Sequence, residues 1–117
     1  MPEKEFKVNV LGTEYTVYLK TGEECPKLDA VNAGGYTEPF AKELYVRDVT
    51  REKDDPRNVL KMDEYIKSTV RHEMVHAFMF ESGLNAESEW AQNEELVDWI
   101  ALQAPKLFKA FKEAGAL

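Results

Sequence analysis

Apolar and polar positions alternate along "FKVNVLG" (6–12) and "TEYTVYLK" (13–20), the period-two pattern of half-buried strands. Gly12 marks the bend between them, so the pair predicts a hairpin. "TGEECPKLDAVNAGGYTEP" (21–39) is rich in Gly, Pro, Asp and Asn and predicts a long connection. A third strand is expected over "KELYVRDV" (42–49), with Leu44, Val46 and Asp48 on one face, followed by a charged turn at "TREKDDPRN" (50–58).

Beyond that turn the period lengthens to that of helices. A first long helix is expected to begin between Asn58 and Asp63, with Asp63 as its N-cap, and to end at Gly83, which suits the left-handed position past a helix. Ile66, Val70, Met74, Ala77 and Phe78 share one face, while Val75 and Met79 lie on the other side, predicting burial on more than one face. A second helix is expected from an N-cap at Ser88 through "EWAQNEELVDWIALQ", with Pro105 interrupting or kinking it before "KLFKAFKEAGAL". The whole predicts a single α+β domain over 1–117, with 1–58 mainly strands and loops and 59–117 mainly helices.

Composition narrows the function classes. The formal net charge is −7, from 22 acidic against 15 basic residues, and no basic stripe is available to displace the counterions of a polyanion. Nucleic acid is therefore not an expected partner. The longest largely apolar run, "MVHAFMF", is far too short to span a bilayer, so no membrane partner is expected either. "MPEKEFKV" lacks the apolar core of a secretory signal, and a cytoplasmic location is expected. Cys25 is the single cysteine and can form no intrachain disulfide; its acidic, turn-like setting offers nothing to activate a thiol.

Both histidines fall in "STVRHEMVHAFMFESGLN" (68–85), four positions apart on the first helix. Residues at that spacing stack on one face, roughly 6 Å apart along the axis, so His72 and His76 can each point a nitrogen at one ion. Zinc takes such nitrogens at about 2.0–2.1 Å in a near-tetrahedral set. Glu73 is turned about 100° from His72, where its carboxylate can reach a metal-held water and serve as general base. Two imidazoles and an acid on a buried helix are hard to explain by packing, because burying polar groups unpaired is costly.

A catalytic zinc site needs a third protein ligand. No histidine remains, so the candidates are the acids of "QNEELVDWIA" (92–101). On a helical wheel Trp90, Val97, Ala101 and Phe108 form an apolar stripe with Ala91 towards one edge; Glu94 falls within it and Asp98 beside it. Glu95 is the competitor, about 100° further round, where a solvated carboxylate is the ordinary expectation. Phase favours Glu94 as ligand and gives Asp98 the outer N–H of a ligand histidine, His72 before His76.

"HEMVH" and "NEELVD" together resemble the signature of the thermolysin-like zincins called gluzincins, with Glu94 following His76 by 18 residues and Asp98 completing Glu-x-x-x-Asp. The stretches "VNVLGTEYTV", "GGYTEPFAKELYV" and "WAQNEELVDWIALQAPKL" are similar to short zincin-like proteins often carried by phages and prophages, grouped with the ImmA/IrrE-type metallopeptidases. That resemblance implies a minimal zincin fold, a small twisted three-stranded or slightly larger sheet packed on an active-site helix and a glutamate helix. It implies zinc on His72, His76 and Glu94, water activation by Glu73, and His72 held by Asp98. Unlike larger members, the sequence shows no DNA-binding appendage and no further histidine to serve as a transition-state donor.

The expected activity is zinc-dependent hydrolysis of a peptide or protein substrate, lying extended beside the 42–49 strand. Tyr36 and Tyr65 are candidate donors to the oxyanion. One alternative is a zinc-bound protein-interaction module on the same scaffold with little or no hydrolysis. The other is a metal-free helical interaction protein. Similar ligand sets accept divalent ions other than zinc.

Overall fold

A computed structural model describes residues 4–31, 33–52 and 61–117. Among these, four strands form one mixed sheet in the order β1-β2-β4-β3. The expected hairpin is β1 (Glu5–Val10) and β2 (Thr13–Lys20), paired antiparallel with Val10 opposite Thr13. Leu11 and Gly12 make the turn, both at positive φ (52° and 91°), the two-residue geometry whose twist matches that of the strands.

The connection at 21–39 is more structured than its composition suggests. It holds a short helix, α1 (Pro26–Ala30), and a four-residue strand, β3 (Gly35–Glu38). β4 (Glu43–Arg47) pairs antiparallel with β3 and parallel with β2, so the third strand foreseen at 42–49 is an inner strand and β3 is the edge. Asp48 lies past the end of β4 rather than on its face; its carboxylate accepts from the Thr50 N–H and caps a 3₁₀ turn at Val49–Arg51. Buried Arg47 bonds the Ala33 carbonyl and pairs with Asp29 and Glu52, which ties the approach to β3 down. The turn foreseen at 50–58 lies largely outside the described residues.

The first long helix is α2 (Met62–Glu81). Asp63, foreseen as its N-cap, sits in the first turn, where a carboxylate still complements the helix dipole; Gly83 takes the left-handed conformation as expected, at φ 83°. Ile66, Val70 and Ala77 meet Tyr15, Val17, Leu19, Leu44 and Val46 in the core, while Phe78 stays exposed. Glu81 fixes the far end of α2 to the sheet, accepting from the hydroxyls of Thr13 (3.1 Å) and Tyr15 (2.6 Å) and pairing with Lys42 (2.8 Å). The opposite face of the sheet carries a ladder of Tyr18, Tyr45 and Tyr36, with centroids 5.1 and 5.0 Å apart.

The second helix begins later than its sequence suggests. Ser88 makes no side-chain cap; a short helix, α3 (Leu84–Glu87), and a 3₁₀ turn at Glu89–Gln92 come first. Asn93 is the N-cap of α4 (Glu94–Glu113), its side chain accepting from the Leu96 N–H at 2.8 Å. Pro105 does not interrupt α4. The helix packs on α2 through Val97 and Ala101, on the side away from the sheet. Trp90 and Phe108, foreseen on the apolar stripe, are exposed; Trp90 precedes the helix, so its wheel phase does not apply.

β3 lies close against α2. A Cβ at Gly35 would stand 2.7 Å from the Tyr45 carbonyl oxygen and 3.2 Å from Glu73 Cγ. Gly35→Ala is expected to cost about 1–3 kcal/mol by pushing β3 off the β4 backbone and off α2, read as a lower midpoint in urea unfolding.

Candidate metal centre

α2 points both imidazoles into a cleft of about 680 Å³ bounded by β3, α2 and α4. The rings meet edge to face, with centroids 4.9 Å apart, and each turns Nε2 towards the Glu94 carboxylate. His76 Nε2 is 2.5 Å from Oε1, and His72 Nε2 is 3.3 Å from Oε2. Glu94 can reach both because it is the first residue of α4, set by the Asn93 cap. His72 Nδ1 faces Asp98 Oδ1 at 3.3 Å, one turn further along α4. A proton on that nitrogen leaves the Nε2 lone pair directed at the cleft.

His72, His76 and Glu94 each offer a ligand atom, and the three atoms lie within 4.8 Å of one another. The group could hold a metal ion. Ligands of a tetrahedral zinc at about 2.0 Å stand about 3.3 Å apart, so the set needs only a small inward rotation. Two imidazoles and one carboxylate are the donor types zinc favours, with a fourth position left open. Glu95 is exposed and belongs to no such group among the described residues.

The acids are placed as foreseen but not buried as foreseen. The side chains of Glu94 and Asp98 are 67% and 55% exposed, so they reach in from the cleft rim. The buried acid of the cleft is instead Glu73, on the sheet side of α2. Burial pushes its carboxyl above the usual carboxylate range, against the lowering effect of a hydrogen bond from Thr37 and of both imidazoles.

Thr37 is the residue that sequence reasoning missed. Its hydroxyl lies 2.8 Å from Glu73 Oε1 and 3.2 Å from the Glu73 carbonyl oxygen. A single hydroxyl proton fixes one carboxylate oxygen and leaves the other free for chemistry. The available signal was alternation in "GGYTE", which puts Gly35 and Thr37 on one face and Tyr36 on the other.

The two tyrosines separate. Tyr36 lines the cleft but stacks in the tyrosine ladder, its hydroxyl engaged 3.0 Å from Cys25 Sγ rather than with the imidazoles. Tyr65 lines the cleft beside Gly34. Cys25, half-buried, takes no part in the cleft. Among the described residues no helix is long and apolar enough to cross a membrane. Compared with protein-family models, curated proteins and solved structures, the chain matches none.

Proposed function

We propose that this α+β domain is a minimal zinc metallopeptidase of the gluzincin type. One observation carries the reading: His72 Nε2 and His76 Nε2 converge on the Glu94 carboxylate at a cleft wall, next to a buried Glu73. Zinc, when bound, supplies Lewis acidity and an acidified water.

The chain's own residues do the rest. Glu73 takes the proton of the attacking water and passes it to the leaving amine. Thr37 holds one oxygen of Glu73, and the other serves as the base. Asp98 orients His72. β3 is the sheet edge that borders the cleft, so an extended peptide would add to Gly35–Glu38 by main-chain hydrogen bonds; the 42–49 strand, enclosed between β2 and β3, has no edge to offer.

The test uses the purified protein. One zinc per chain is expected by metal analysis. With free zinc a hundredfold above its Kd, the melting temperature should rise by about 10 °C over the EDTA-treated protein, from a linkage contribution of about 2.7 kcal/mol. Cleavage of an unstructured casein-like substrate should stop with EDTA and return with zinc. Full zinc occupancy without turnover on any peptide library replaces the peptidase with the interaction module; melting indifferent to metal removes both.

A further inference from the structure

Both imidazoles ride on α2 and both acids on α4, so the site exists only while the two rods keep one register. Val97 and Ala101, the buried contacts of α4, are small. Such contacts set the distance between helices more firmly than their sliding.

Pro105 changes this. In a regular helix the Ala101 carbonyl would accept the N–H of residue 105, and proline has none. Arg71 of α2 donates to that carbonyl instead, Nε to O, at 2.6 Å. The acceptor residue is buried and Arg71 half-buried, and a charge-assisted bond of this length is strong and directional. It joins the residue next to His72 to the turn of α4 that follows Asp98.

Resting on the metal-centre reading, we propose that Arg71 is a positioning residue of that centre. Pro105 leaves a helix carbonyl without its internal donor, and the Arg71 guanidinium uses it to set the register of α4, bringing Glu94 and Asp98 opposite His72 and His76. A backbone N–H at position 105 would share that oxygen's two lone pairs and weaken the hold of Arg71 on it, while improving α4 as a helix.

Cobalt(II) titration of the metal-stripped full chain, read by d–d absorption, tests this beside melts of the metal-free protein. Arg71→Ala and Pro105→Ala should each weaken cobalt binding about tenfold, the size seen when a support of a metal ligand is removed. Arg71→Lys, which still donates, should recover most of the affinity. The double variant should bind no more weakly than the weaker single one, because both changes remove the same bond. Pro105→Ala should also melt higher without metal, so stability and affinity move in opposite directions, which a merely structural role would not produce. Should Arg71→Ala fail to fold, Pro105→Ala decides alone. Wild-type uptake with unchanged affinity in Pro105→Ala overturns the positioning role and leaves the metal centre standing; a wild type that takes up no cobalt overturns both.

Discussion

Glu73→Gln is expected to keep its metal and lose its hydrolysis. On the proposed reading the variant removes only the base, because His72, His76 and Glu94 form the group that could hold the metal and Glu73 is not one of them. General-base catalysis contributes about 10²–10⁴-fold, so kcat on an unstructured substrate should fall by that factor at unchanged zinc content. The same change should raise the melting temperature of the metal-free protein. A carboxyl whose folded pKa lies above its unfolded value withdraws stability as pH rises from the unfolded value through the folded one, so the Glu73 carboxyl opposes folding above the usual carboxylate range. Glutamine is neutral and still offers an oxygen to the Thr37 hydroxyl. Unchanged activity at full zinc would remove Glu73 from the mechanism.

The second large effect is expected at position 94. Glu94→Ala deletes the one carboxylate among the described residues that meets both imidazoles, and zinc affinity should drop by at least about a hundredfold, beyond the 10–100-fold typical of losing a support to a ligand. Glu95→Ala, one residue on and exposed, should bind like the wild type. Competition with a chromophoric chelator measures both. Loss of zinc in Glu95→Ala with retention in Glu94→Ala would transfer the ligand role.

How much of this could be read from the chain depends on how local the signal is. Four-residue spacing on a helix fixes the relation of His72 to His76 whatever surrounds them, and the hairpin is written in two adjacent alternating runs. Glu94 was legible through the phase of Val97 and Ala101, yet its exposure was not, because a wheel gives direction without depth. Ser88 looks like a cap in isolation, but Asn93 wins because its side chain reaches the Leu96 N–H where α4 starts. β3 was hidden for a different reason. Four residues that begin on the second of two glycines and stop before a proline have no strand signal of their own, and they are extended because β4 pairs with them and Gly35 can approach the sheet and α2 closely. Thr37 was lost with β3. Pro105 does not end α4, and the bond it forgoes is replaced from another helix, an arrangement that no single window of sequence contains.

Among the described residues α4 leans on α2 and has no extensive contact with the sheet, so the imidazoles sit on the helix packed against the sheet and the carboxylates on the outer helix. A cation shared between them would act as a rivet through that outer layer. When it leaves, the carboxy-terminal rod should be the first part to come loose, and the protein would surrender its ligand set while the hairpin beneath is still folded.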